Sequence, residues 1–332
     1  MSIAPPCIAV VIPYFQREPG VLARALRSIE AQQGCPLPVH VIVVDDASPH
    51  PASEEVTATG CQSVSVRTIV QANGGPGAAR NTGLDHTPEG TRYVAFLDSD
   101  DEWSPDHLAR AVRALDAGFD FYFADHHQLG KAVSAFERSG RIKVAEHQAL
   151  NFESGEPAAD LYAFRGELLR QIIVGNPVGT STVVYRYERF GQQRFRVEFT
   201  NAGEDYLFWM ELSQCGARAV FSTQSEARYG RGVNIYAASG WGTDSYLLRV
   251  HNEMKYRKLT ARLFKLDLPL RQHLRRSIRQ LRETFALDVL HRLAHRKPLP
   301  WRLLRAHIAL DPLAPLGFGQ VFLNRILPRR SA

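Results

Sequence analysis

Long apolar runs are missing from this 332-residue sequence. Nowhere do about 18 hydrophobic residues follow one another, so the sequence offers no membrane-spanning helix. The opening Met1-Ser-Ile-Ala-Pro-Pro6 lacks the basic and then apolar segments of a secretory signal, and a cytoplasmic protein is expected. Cysteine is scarce. The four present, Cys7, Cys35, Cys61 and Cys215, show no C-x-x-C spacing, which argues against a zinc site and for reduced thiols. The 45% hydrophobic content is that of a globular chain with a substantial core, enough for one large or two modest domains.

Acidic residues are scarce at one end. Residues 251–332 hold 18 lysines and arginines against 5 acids, a net of +13, which leaves −7 for residues 1–250. The overall charge of +6 therefore belongs to the tail.

The most informative stretch is Tyr93-Val-Ala-Phe-Leu-Asp98-Ser99-Asp100-Asp101-Glu102-Trp103, an apolar run short enough for a buried strand that ends in three carboxylates. Like charges at a strand end repel and are costly to desolvate, so a cation among them is one explanation. Oxygen ligands suit Mg²⁺ or Mn²⁺. The alternative is a helix cap, with Asp101 or Ser104 preceding a helix from Pro105.

Upstream, Cys7–Ile12 is a continuous β-branched run suited to a strand covered on both faces, and Val21–Gln33 has helical spacing up to Gly34. Val39–Val44 forms a second strand ending in Asp45-Asp46-Ala-Ser48, and Ser63–Val70 a third, before Asn73-Gly-Gly-Pro-Gly77-Ala-Ala-Arg80-Asn81-Thr-Gly83. Alternating strands and helices predict βαβ units, with ligands at the carboxyl ends of the strands. There Phe15 or Tyr14 can stack on a base, Asp46 can accept from a base imino group, and Arg80 can contact a phosphate.

Ile12-Pro13-Tyr14-Phe15, Asp45-Asp46-Ala-Ser48, Gly77-Ala-Ala-Arg80-Asn81-Thr-Gly83 and Asp98-Ser99-Asp100-Asp101-Glu-Trp103 occur in the order found in family 2 glycosyltransferases, which residues 7–110 resemble densely. The resemblance implies the GT-A fold: an α/β, Rossmann-like mixed and mostly parallel sheet flanked by helices. It further implies a nucleotide-diphospho-sugar donor, UDP being the commonest, Mn²⁺ or Mg²⁺ on an Asp-x-Asp motif, and inversion at the anomeric carbon. Carried over by position, Pro13, Tyr14, Phe15, Asp46, Arg80, Asp98, Ser99 and Arg231 surround the donor, and Asp100 with Asp98 holds the metal.

Farther along, Phe119–Ala124 reads as a strand, and 126–170 as loops and a short helix around the acceptor. Gly175–Arg186 reads as a β-like run, either lining the sugar pocket, as the resemblance implies, or forming a Thr-rich edge strand. A helix is expected from Asp205 and a strand at Ala217–Ser222. Glu204-Asp205 can cap that helix, or it is the family's carboxylate pair, with Asp205 as general base and Glu204 binding or orienting the acceptor. In Tyr229-Gly-Arg231-Gly-Val-Asn234, glycine stands where many members have a metal- or phosphate-binding histidine. Gly240-Trp241-Gly242 reads either as a lid whose tryptophan stacks on sugar or as an ordinary buried tryptophan.

The expected organisation is 1–125 as the nucleotide-sugar half, 126–245 as the acceptor half, and 246–332 as a basic helical extension. In the extension Leu274, Ile278, Leu281, Phe285, Val289 and Leu293 recur at helical spacing with arginines between them. Such a helix suits an anionic membrane surface along 271–330, the chain's own catalytic domain, or a second copy in a homodimer; no nucleic-acid module accompanies it. The acceptor implied by the resemblance is a glycan or lipid-linked glycan, with the enzyme peripheral at the inner face of the cell membrane. A nucleotidyltransferase and a sugar-nucleotide-binding scaffold without turnover are the competing readings.

Overall fold

A computed structural model describes residues 4–151, 157–199, 203–231 and 240–326. Asn234 and the terminal Arg329 and Arg330 lie outside the described residues. The chain divides into two compact units, Met1–Thr200 with Glu204–Val233, and Asn201–Gly203 with Asn234–Ala332.

The first unit is an α/β domain built on one mixed sheet, ten-stranded among the described residues. Its opening half alternates strand and helix: β1 (Cys7–Tyr14), α1 (Leu22–Glu30), β2 (Val39–Asp45), α2 (Ala52–Thr59), β3 (Ser65–Val70), α3 (Pro76–Asp85) and β4 (Thr91–Phe96). There follow β5 (Glu102–Trp103), α4 (His107–Asp116), β6 (Phe121–His127), α5 (Ala135–Ser139), β7 (Gln148–Asn151), β8 (Pro157–Ala163) and α6 (Leu168–Gly175). A 3₁₀ turn at Thr180–Thr182 leads to β9 (Val184–Arg186), α7 (Tyr187–Phe190), α8 (Glu204–Gln214) and β10 (Ala219–Arg228).

The sheet order is β3-β2-β1-β4-β9-β6-β10-β8-β7, with β5 paired to β10. β1 is parallel to β2 and β4, and β6 is parallel to β10. β9 is antiparallel to both β4 and β6 and so joins two groups of strands that point the same way. One sheet thus runs through both halves expected on either side of residue 125. The carboxyl ends of β1, β2, β4, β6 and β10 lie on one edge, as the parallel pairings require.

Three expectations change. Residues 175–186 are not an edge strand, because β9 sits mid-sheet between β4 and β6. The segment 126–170 is more regular than loops and a short helix, since β7 and β8 pair with each other and β8 continues onto β10. The helix expected from Pro105 begins at His107.

Strands β1, β2 and β4 are almost wholly buried, and α1 and α4 pack Leu22, Leu26, Leu108 and Leu115 into the same core. Removal of this apolar surface from water supplies the main driving force for the layered arrangement.

The second unit is helical: α9 (Asp244–Leu263), α10 (Leu268–Ala294), α11 (Trp301–Leu310) and α12 (Leu316–Ile326). Its core gathers Leu247, Val250 and Met254 from α9, Leu281, Phe285 and Val289 from α10, and Leu304 from α11. The apolar stripe of α10 is therefore consumed by its own helical unit rather than offered to a membrane. Leu293, assigned by its spacing to that stripe, is instead exposed. Asp267 caps α10 by accepting from the Leu270 N–H at 3.0 Å. Trp241 is half-exposed and stacks on Tyr246, while the Gly242 N–H donates to Asp288, so the expected lid is tied to the helices at this point. No helix among the described residues is long and apolar enough to cross a membrane.

Candidate functional site

The β1 exit shows how strand alternation sorts its residues. Pro13 and Phe15 are half-buried, whereas Tyr14, on the other face, is wholly buried and donates its hydroxyl to Glu55 Oε1 at 2.8 Å. Burial and the Glu55 carboxylate raise the Tyr14 phenol above its usual range. This corrects the reading of Tyr14 as a base-stacking candidate and leaves Phe15 alone in that place. Gln16, not singled out by the sequence, donates to Ser99 Oγ at 2.9 Å and thereby ties the first loop to the acidic one.

At the β2 exit the two aspartates do different things. Asp45 accepts from the backbone of Ser48 and Ala52 and opens α2. Asp46 accepts from the backbone N–H groups of Gly74 and Gly75, both at 2.8 Å, and from Gln71 at 2.7 Å. Its buried carboxylate thus fixes the glycine loop that leads into α3.

Arg80, in the first half of α3, is only 4% exposed. Its Nη2 lies 2.7 Å from Asp98 Oδ1 and its Nη1 3.3 Å from Glu204 Oε1. Both ends of the guanidinium are committed to carboxylates, so the phosphate contact expected of Arg80 is corrected to an internal bridge. Pro76 begins α3, and Gly77 keeps its first turn close to Glu204, whose Cγ a Cβ there would approach to 3.1 Å.

The three carboxylates after β4 separate by role. Asp101 is buried, accepting from the Gly230 N–H at 2.9 Å and from Ser181 Oγ at 2.5 Å. Burial, and then the charges of Asp98 and Asp100, push its carboxyl well above the usual range. Asp98 and Asp100 are partly accessible. The Ser181 hydroxyl also accepts from the Asp98 N–H, and the Ser181 carbonyl accepts from Trp103 Nε1. Ser181 therefore supports the acidic loop from three directions. The sequence signal for it was only a Thr-Ser-Thr run after a Gly.

Two carboxylates on one accessible loop, with a third held inside, do not form a closed cage. Among the described residues no group of three or more histidine, cysteine or acidic side chains is arranged to hold an ion by itself. The donor set fits Mg²⁺ or Mn²⁺ completed by phosphate oxygens, because such ions are held by one or two carboxylates plus substrate.

Helix α8 places the second pair of carboxylates. Its apolar side chains Phe208 and Trp209 are locked in an aromatic cluster with Phe96, Phe121 and Phe195, Phe208 stacking on Phe195 at 4.1 Å. That packing fixes the first turn, where Glu204 and Asp205 face the positive end of the helix dipole. Glu204 is buried and its Oε2 has no hydrogen-bond partner. Burial, together with the Asp205 charge, raises it to about 7 against the pull of Arg80. Asp205 is half-buried, accepts from Thr180 Oγ1 at 3.1 Å and from the Tyr206 N–H at 2.8 Å, and is likewise raised, chiefly by burial.

The Tyr229–Arg231 segment returns to the same edge. Tyr229 stacks on His126 at 4.2 Å, and burial lowers that histidine to about 4, leaving it neutral at pH 7. Gly230 passes against the acidic loop, where a Cβ would lie 1.8 Å from the Asp100 carbonyl oxygen. Arg231 is exposed.

Arg80 thus bridges Asp98 to Glu204, with Ser99 and Asp100 next to Asp98 on its loop, Asp205 next to Glu204 in the first turn of α8, and Phe15 and Asp46 on neighbouring strand exits of the same edge. Known proteins resemble this chain in sequence and in fold. The family model for glycosyl transferase family 2 matches residues 9–192. The succinoglycan biosynthesis protein ExoW of Rhizobium meliloti is 35% identical over 240 residues, 69% of this chain and 70% of that protein. ExoO of the same organism, also a succinoglycan biosynthesis protein, is 40% identical over 202 residues, 59% of this chain and 53% of that one. Among solved structures, the mannosyltransferase PcManGT of Pyrobaculum calidifontis, in complex with GDP-Man and Mn²⁺, superimposes with a TM-score of 0.55 at 18% identity, covering 97% of this chain and 84% of its own. TarS 1–349 of S. aureus with UDP-GlcNAc gives 0.53 at 18%, covering 95% and 92%. The structural likeness carries the GT-A fold, and the sequence match carries the rest: the chain belongs to glycosyl transferase family 2.

Proposed function

We propose that this glycosyltransferase moves a sugar from a UDP-sugar, with inversion, to a hydroxyl of a glycan or lipid-linked glycan, working as a peripheral protein at the inner face of the cell membrane. The observation that carries the catalytic part is the Arg80 bridge, which joins the Asp98–Asp100 loop to the Glu204–Asp205 turn through one side chain. Donor-binding acids and a candidate base therefore lie within reach of a single substrate pair.

In this reading Phe15 stacks on the base and Asp46 reads it while holding the Gly74–Gly75 loop. Pro13 and Ser99 line the same donor site, and Arg231 reaches the diphosphate. Asp100 and Asp98 would hold Mn²⁺ or Mg²⁺, which when bound would neutralise charge on the leaving nucleoside diphosphate. Asp205 takes the proton from the acceptor hydroxyl as that oxygen attacks the anomeric carbon and the bond to the diphosphate oxygen breaks. A carboxylate raised by burial is a stronger base than an exposed one, which suits this role. Glu204, wedged beside it, orients the acceptor.

The test is Asp205→Asn. Transfer should fall by about 10²–10⁴-fold while donor binding is retained. Normal turnover by this variant would remove Asp205 from the mechanism. Donor binding by the wild type without turnover on any acceptor would favour a scaffold instead.

A further inference from the structure

Helix α11 turns Leu304 and His307 into the core of the helical unit, His307 lying flat on Phe285 with ring centroids 3.9 Å apart. The opposite face would ordinarily be polar. Here the exposed arc begins on the flank beside Leu304 with Ile308, 45% exposed, and Trp301, 64% exposed, and continues through the exposed arginines Arg305 and Arg302. At about 100° per residue, Ile308 and Trp301 lie roughly 20° apart around the helix, with Arg305 about 40° and Arg302 about 100° beyond Trp301.

The surroundings extend the pattern. Leu293 is 55% exposed, and Arg296 and Lys297 are exposed in the turn leading to α11. Between Val289 and Leu310 the sequence has no acidic residue. Eight of the fourteen large apolar side chains exposed among the described residues fall between Leu268 and Phe322. Exposed apolar groups that lie side by side mark an interaction surface, and Trp301 and Ile308 do so on α11.

We propose that this face of α11, led by Trp301, Arg302, Arg305 and Ile308, lies on a membrane surface rich in anionic lipid. Four exposed cations call for an anionic partner, and a tryptophan beside an exposed isoleucine calls for one with an apolar layer beneath its charges. A lipid headgroup region over acyl chains has both, whereas a nucleic acid offers little to Ile308 and Leu293. The proposal deepens the peripheral attachment named above and rests on that reading for its setting. Its test reads lipid binding alone, so the transfer reaction can fail without it, and it can fail without the transfer reaction.

The experiment is flotation of the full chain with vesicles of phosphatidylcholine alone or with one third phosphatidylglycerol, at about 0.1 M salt. Binding to the anionic vesicles only is expected, weakening as salt rises. The double variant Arg302→Ala, Arg305→Ala should bind them about 30-fold less tightly, at about tenfold or less for each arginine removed near a charged surface. Trp301→Ser should weaken binding and abolish most of the blue shift in tryptophan emission seen on vesicle addition. All four positions lie at the surface, so thermal unfolding without lipid should match the wild type. Wild-type binding that ignores phosphatidylglycerol, or variants that bind as well as the wild type, would overturn the proposal. So would a lipid-free dimer dissociated by Trp301→Ser, or a preference for duplex nucleic acid over the anionic vesicles.

Discussion

Arg80 Nη2 lies 2.7 Å from Asp98 Oδ1, and the same guanidinium meets Glu204 at 3.3 Å, although the two acids are 106 residues apart in the chain. A cation from α3 thus links the strand that delivers the proposed donor-binding acids to the helix that delivers the proposed base. Arg80 and Glu204 are both buried, so neither charge can turn to water if its partner is lost.

Replacing Arg80 by alanine should therefore destabilise the ligand-free protein. Breaking a buried ion pair costs about 3–5 kcal/mol, which for a domain of this size lowers Tm by roughly 10 °C. Adding Glu204→Gln to Arg80→Ala should recover part of that loss, because it removes the stranded charge. Were Arg80 only a phosphate ligand, Arg80→Ala would leave the ligand-free Tm unchanged, as thermal denaturation will show.

Glu204 gives a pH signature. Its folded carboxyl is raised from the ordinary 4.5 to about 7, so folding takes up a proton between those values. The stability this group contributes is fully present below about pH 4.5 and is lost as pH rises through about 7. The decline should be on the order of 2–3 kcal/mol, shared with Asp205, which is raised in the same direction. Denaturant unfolding between pH 5 and 8 should show the stability of the wild type falling relative to that of Glu204→Gln as pH rises, since groups such as His126, lowered by burial, titrate in both proteins. Parallel curves would mean that Glu204 is ionised throughout.

Gly230 makes a steric prediction. An alanine there would place its Cβ 1.8 Å from the Asp100 carbonyl oxygen, so one of the two backbones must move. Such overpacking costs about 1–3 kcal/mol. It should also displace the loop that Asp101 holds through the Gly230 N–H. Nucleotide affinity in the presence of Mn²⁺ should fall at least about tenfold in Gly230→Ala, measured by calorimetry. Unchanged affinity would separate the Tyr229–Arg231 segment from the donor site.

Much of this architecture was legible in the sequence because the signals are local. Apolar runs mark β1, β2 and β4, and each is followed by polar residues that line the sheet edge. What was not legible depends on distant partners. Tyr14 and Phe15 look alike as candidates until strand alternation is anchored to a face, which sends Tyr14 to Glu55. Arg80 looks like a solvated phosphate ligand until Asp98 and Glu204 close on it. β9 is three residues long and follows a 3₁₀ turn, so only its two antiparallel neighbours reveal a central strand. β7 and β8 likewise show as strands only through their pairing with each other and that of β8 with β10. Ser181 carries no motif signal of its own, yet it meets Asp98, Asp101 and Trp103.

The central claim is that Asp98 and Asp100 build a metal-assisted donor site whereas Asp101 supports the loop from within. It is tested most directly by calorimetric titration of UDP, GDP and dTDP, each with and without Mn²⁺, into the wild type and into Asp100→Ala. The wild type should bind one diphosphate, UDP, at least about tenfold more tightly with Mn²⁺, and Asp100→Ala should lose this gain while keeping its thermal stability. Equal binding with and without the ion in the wild type, or an undiminished Mn²⁺ effect in Asp100→Ala, would contradict it.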